Sequence, residues 1–204
     1  GNQSASKTWS AISSNMSSAM HELLWDKGTK LYMDRHAEQY RNANAARSTP
    51  IFSTIKSVAS FLPMLLDDFP AAERLPAMLE ALASPTLFNS TIAIPSVSLD
   101  TSEFSTDMWR GPMWINTNYF VYLGLRKYGA LEQAKSILSA TLDCVETWYL
   151  RTGVFFEFYD AKGQSDPRTL LRKGARTGGV RDYHWTAALV LKMLEEEKEI
   201  MEYQ

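Results

Sequence analysis

"MWINTNYFVYLGLRKYG" (Met113–Gly129) runs directly into "ALEQAKSILSATLDCVETWYL" (Ala130–Leu150), and this pair decides the fold class. The first stretch is apolar around most of its circumference and closes on a glycine, which predicts a helix covered on all sides. The second is amphipathic and predicts a helix covered on one side only.

The same inner-then-outer order occurs upstream. "SVASFLPMLLDDF" (Ser57–Phe69) reads as an interior helix kinked at Pro63 and stopped by Pro70, and "AAERLPAMLEALAS" as an amphipathic helix running back. Trp9, Ile12, Met16, Met20, Leu23 and Leu24 recur at helical spacing over Thr8–Trp25 until "DKG" breaks the run. "DYHWTAALVLKMLEEEKEI" makes the last of six expected helices. "KLYMDRH" alternates like a short extended segment, and the polar "AEQYRNANAARSTP" after it reads as a loop. "LWDKGTKLYMD" and "WYLRTGVFFEFYD" share a Trp, a turn glycine and a trailing Asp. Helical hairpins alternating between buried and half-buried members predict an all-α toroid, or a section of one.

Composition narrows the partners. The chain has 204 residues, 45% hydrophobic, ample for a core. Its formal net charge of -2 supplies no field for nucleic acid or an anionic membrane, and no run approaches the ~20 apolar residues that span a bilayer. The start lacks the charged and apolar regions of a signal peptide. Cys144 is a lone cysteine, expected as a small buried hydrophobe. His21, His36 and His184 lack ligand spacing, so no metal is expected, and without a phosphate-binding glycine loop no cofactor is expected either. Sequons at Asn2, Asn15 and Asn89 would matter only in the secretory route, and the compartment is left open.

Two long irregular segments remain, and such loops on a helical scaffold commonly carry function. One is Pro85–Pro112, ending in "WRGPMW". Here Trp109 and Trp114 offer flat stacking surfaces, Arg110 a fork of donors, and Gly111 close backbone approach. The alternative is that the tryptophans fill the core and Arg110 pairs with Asp107 or Asp182. The other is "GVFFEFYDAKG" (Gly153–Gly163), which sets Glu157 among Phe155, Phe156, Phe158 and Tyr159. A charge there costs several kcal/mol unless it is paired or has a chemical task. If the segment is extended, Glu157 and Tyr159 share a face, and Tyr159 could donate to the carboxylate. Pairing with an arginine of the following basic loop (Arg168, Arg172, Lys173, Arg176, Arg181) is the competing reading.

Together, "LLWDKGTKLYMDR", "KSVASFLPML", "IPSVSLDTSEFSTDMWRGPMWINTNY" and "GVFFEFYD" followed by "HWTAALVLKML" resemble glycoside hydrolase family 63, specifically its mannosylglycerate hydrolase-like members. The resemblance implies an (α/α)6 barrel, of which residues 1–204 would form roughly the C-terminal half. It implies hydrolysis of α-glucosides or α-mannosides with inversion, Glu157 acting as the general base. Inverting enzymes hold their two carboxyl groups roughly 6.5–9.5 Å apart to admit water. By the same resemblance Trp109, Gly111 and Trp114 contact the sugar, with Arg110, Tyr159 and Trp185 as further substrate-binding candidates. Departures from the family pattern bear on substrate identity: Met108 stands where an aromatic is frequent, "YDAKG" lacks a proline, and His184 replaces a common serine.

A ring of twelve helices needs roughly 350 residues. The family's general acid is an upstream aspartate in a motif this sequence lacks, and among Asp34, Asp100, Asp107 and Asp182 only Asp107 is a conceivable substitute. The expectation is therefore a piece of a glycosidase, inactive alone, that pairs with a missing N-terminal half or a second copy. The alternative is a non-catalytic carbohydrate-binding or scaffold remnant. The basic loop reads as a solvated segment, with an anionic aglycone such as glycerate as its other possible partner.

Overall fold

The computed structural model describes residues 3–36 and 51–202. Helix α1 (Gln3–Leu23) leads into a small antiparallel hairpin, β1 (Trp25–Asp26) and β2 (Leu31–Tyr32), with Trp25 opposite Tyr32. The Asp26 carboxylate closes its turn by accepting from the Gly28 and Thr29 N–H groups. A 3-10 helix (Val58–Leu65) precedes α2 (Ala71–Ala83), α3 (Ile115–Lys127), α4 (Leu131–Thr152) and α5 (His184–Glu202). The polar loop expected after "KLYMDRH" lies outside the described residues.

Helix α3 is the inner element. Eight of its residues, among them Ile115, Tyr119, Val121, Tyr122 and Leu125, are buried around its circumference, against the 3-10 helix, α4 and α5. Gly124 lets the 3-10 helix approach: a Cβ there would stand 2.6 Å from Met64 Cβ. Helix α4 buries one stripe, Ala134, Leu138, Leu142, Cys144 and Val145, and ends on Gly153 in the left-handed region. The inner-then-outer reading of this hairpin holds in three dimensions.

Two expectations need correction. Ser57–Phe69 is not an α-helix: the ordered turn stops at Leu65 and is 3-10 throughout. Pro63 lies inside this short stretch and leaves it one amide donor fewer, though a proline alone does not dictate the change, since Pro76 sits within the α-helical α2. Helix α1 forms, but its apolar stripe is not covered: Trp9 is 69% and Met16 66% exposed. Its hold on the body is polar and near its C-terminal end, where Ser17 Oγ donates to Asp68 and His21 Nδ1 meets the Tyr32 hydroxyl. Helix α5 likewise packs Val190 and Met193 inward but leaves Leu191 and Leu194 exposed.

Candidate active site

The Pro85–Pro112 connection is pinned to α3 by Asn118, whose side chain accepts from Ile94 N–H and donates to Ile94 O and Trp114 O. Its end turns sharply at Gly111, with φ +148° and an N–H donating to Ser96 Oγ. No side chain fits at Gly111, because a Cβ would lie 2.2 Å from the Ser105 carbonyl oxygen. The turn lays Trp109 flat on Trp114, ring centroids 3.8 Å apart and planes 5° from parallel. Trp114 is buried and donates from Nε1 to Met108 O, while Trp109 presents its outer face to solvent.

The acid segment joins this platform through paired backbone bonds between Met113 and Tyr159 at 2.8 and 3.0 Å. Phe158 packs under Trp114 in a small cluster with Leu170, while Phe156 and Tyr159 enter the main core. A bend at Glu157 produces this split, so the strict alternation expected of an extended strand is not kept. Helix α5 is tied on by Thr186, which donates to Phe156 O, and by Tyr183 N–H to Phe155 O. These bonds bring Glu157, Trp114 and Trp185 to one narrow crevice.

Glu157 is 7% exposed. Its Oε2 accepts from Arg172 Nε and from Val180 N–H, each at 3.2 Å, and its own N–H donates to Val180 O at 2.9 Å. Among the described residues, no donor reaches Oε1. The acid therefore does pair with an arginine of the following loop, but through one oxygen only.

One candidate and one alternative reading differ from expectation. Tyr159 does not meet the Glu157 carboxylate: it is fully buried, and its hydroxyl accepts from Phe156 N–H at 3.0 Å. Burial pushes its phenol up, and the group braces the bend rather than facing a ligand. Arg110 pairs with neither Asp107 nor Asp182; it is exposed, with Glu103 at 3.8 Å. Asp107 instead accepts from Gly174 N–H at 3.0 Å.

Arg172 is the residue whose place the sequence did not single out. A signal was available in Gly178-Gly179: a Cβ on Gly179 would crowd the backbone of Phe158 and Glu157 at 3.2–3.3 Å, which marks where the loop returns against the acid. Of the other loop cations, Arg168 forks onto Asp166 and holds that carboxyl below its usual range.

Residues 1–186 match the mannosylglycerate hydrolase MGH1-like glycoside hydrolase domain. The chain belongs to this family. It is 29% identical over 182 residues to mannosylglycerate hydrolase of Rubrobacter radiotolerans, an alignment covering 86% of this chain and 35% of the relative. It is 28% identical to a probable mannosyl-oligosaccharide glucosidase of Schizosaccharomyces pombe, covering 84% of this chain and 21% of that protein. The fold matches the family 63 mannosylglycerate hydrolase of Thermus thermophilus in complex with glucose, with TM-score 0.58, 26% identity, and 84% and 35% coverage. The neutral trehalase of Saccharomyces cerevisiae shares the fold alone, with TM-score 0.64 at 17% identity over 92% of this chain and 31% of that one. The fold class is thus that of the (α/α)6 glycosidases, and the chain spans about a third of the length of the mannosylglycerate hydrolases it matches.

Proposed function

We propose that these residues supply the general-base side of an inverting α-glycosidase site, acting on α-glucosides or α-mannosides. The observation that carries the reading is Glu157, buried beside Trp114 and Trp185 with Oε1 taking no donor among the described residues. A carboxylate held by one oxygen can take a proton from water through the other, which is the geometry general-base catalysis needs. Trp109, lying over Trp114, gives the apolar face of a sugar ring a platform, and Gly111 gives it room. Arg110, exposed, would reach an outer part of the substrate. In the catalytic step Glu157 draws a proton from water as the water oxygen bonds to the anomeric carbon on one face of the sugar, while an acid on the other face protonates the leaving oxygen as its bond to that carbon breaks.

That acid is an aspartate carried by a part of the protein outside these residues. The chain's one-third share of its relatives supports this. The same missing part would cover the apolar stripes of α1 and α5, which no described residue covers; a second copy of this chain is the other candidate occupant. These 204 residues alone are then inactive.

The test is Glu157→Gln in the protein with its complete chain, assayed on α-mannosides, mannosylglycerate among them, and α-glucosides. Activity falls by about 10²–10⁴-fold and the released sugar of the parent enzyme has inverted anomeric configuration. A fully active variant, or a product of retained configuration, would overturn the assignment. Hydrolysis by the isolated 204-residue chain would refute the division of the two carboxylates.

A further inference from the structure

The hairpin from Leu170 to Arg181 holds the acid and the platform loop at the same time. Arg172 Nε donates to Glu157 Oε2, and two residues on, Gly174 N–H donates to Asp107 Oδ2. The contact with the platform loop continues through Met108 N–H to Leu171 O at 3.2 Å and Leu171 N–H to Thr106 O at 3.0 Å. Arg172 and Ala175 exchange backbone bonds across Lys173 (φ +52°) and Gly174 (φ +79°), two successive left-handed residues of the kind that make a tight hairpin turn. Asp107 Oδ1 is buried without a partner among the described residues. A buried, unpaired oxygen costs stability, so packing alone does not account for Asp107.

We propose that Arg172 is the positioning residue of Glu157, and that Asp107 fixes the turn carrying Arg172, so that the Trp109 platform and the carboxylate are held as one unit. The proposal rests on the glycosidase reading above. A glutamate rotates freely about its last torsions, and a base misplaced by an ångström loses much of its effect. Two donors on Oε2 fix the carboxylate plane and leave Oε1 to the water. Arginine suits this task because its donor direction is set by a planar group; lysine keeps the charge without the direction.

The experiment compares Arg172→Met, Arg172→Lys, Asp107→Ala, Asp107→Asn and Glu157→Gln in the complete protein, by kcat and KM on whichever α-glycoside it hydrolyses. Arg172→Met loses about 10–100-fold in kcat with KM changed by less than about threefold, and Arg172→Lys falls between it and the parent. Asp107→Ala matches Arg172→Met, and the double variant is no worse than either alone, as expected of residues acting as a unit. Asp107→Asn keeps an oxygen for Gly174 N–H and stays within about threefold of the parent. Unchanged kcat in Arg172→Met overturns the proposal. So does an Asp107→Asn variant as impaired as Asp107→Ala, since the carboxylate itself would then have a chemical task. An active Glu157→Gln instead sinks the glycosidase reading, whereas an inactive Glu157→Gln beside a fully active Arg172→Met sinks only the positioning role.

Discussion

Replacing Gly111 by alanine should dismantle the platform, and the structure sets the size of the effect. At φ +148° the backbone lies in a region that L-residues occupy at a cost of about 1–3 kcal/mol. The added Cβ would stand 2.2 Å from the Ser105 carbonyl and 3.1 Å from the Phe104 ring, and a backbone oxygen cannot swing aside as a side-chain tip can. The loop must shift, breaking the buried bond from Gly111 N–H to Ser96 Oγ, worth a further ~1–3 kcal/mol. The expected loss is about 3–5 kcal/mol. Gly129→Ala is the control: φ is +78°, yet nothing lies within 4 Å of its Cβ, so it should cost only about 1–2 kcal/mol. Urea unfolding of both variants in the complete protein measures the difference, with m held equal as the check that midpoints compare stability. Circular dichroism of the stacked Trp109–Trp114 pair reports the platform directly, and its coupled signal should vanish in Gly111→Ala alone. Equal destabilisation by the two substitutions, with the tryptophan signal intact, would refute the claim that Gly111 is required by close approach rather than by its dihedral alone.

Burial, and next the charges of Asp160 and Asp143, push the Cys144 thiol from 9.0 up to about 12. The native protein should therefore resist alkylation at mildly alkaline pH, since the thiolate is the nucleophile. With the folded value above the unfolded one, the contribution of Cys144 is complete below pH 9.0 and lost as pH rises toward about 12. Cys144→Ala should flatten that part of the stability profile, and an unchanged slope would count against it. Glu196 joins α5 to α3 by accepting from the Tyr119 and Tyr122 hydroxyls and pairing with Arg126 and Lys192. Glu196→Ala should cost about 2–4 kcal/mol in urea unfolding and Glu196→Gln less, because the amide keeps an acceptor; a loss under about 0.5 kcal/mol would mean the network contributes nothing.

Much of the scaffold was legible because helix period records burial. The contrast between 113–129 and 130–150 appears in the structure as an enclosed α3 and a half-covered α4. Pro63 was read as a kink in an α-helix, but the eight ordered residues around it form a short 3-10 helix instead, a difference that hydrophobic pattern does not record. At the candidate site, that Trp114 and Trp185 lie near Glu157 was an implication of the family resemblance, whereas the path of Tyr159 was not legible. A side chain's direction in irregular backbone depends on bends such as that at Glu157, which no periodicity records. Arg172 reaches the acid across fifteen residues by loop closure, and only the adjacent glycines betray the close approach.

The ion pair at Glu157 and a catalytic use of the same residue are not alternatives. A carboxylate buried for structure alone is most stable when both oxygens are satisfied, commonly by a bidentate arginine fork. Arg172 instead contributes Nε to one oxygen, Val180 N–H shares that oxygen, and Oε1 takes nothing from the described residues. Full pairing would contribute more to stability and would leave Oε1 less open to water. Half pairing offsets part of the burial cost while leaving one oxygen without a donor among the described residues, and it does so beside two tryptophans lining the same crevice. The arrangement thus gives up some stability at the point where an inverting glycosidase needs an unoccupied base, which is why the Arg172 contact supports the catalytic reading of Glu157.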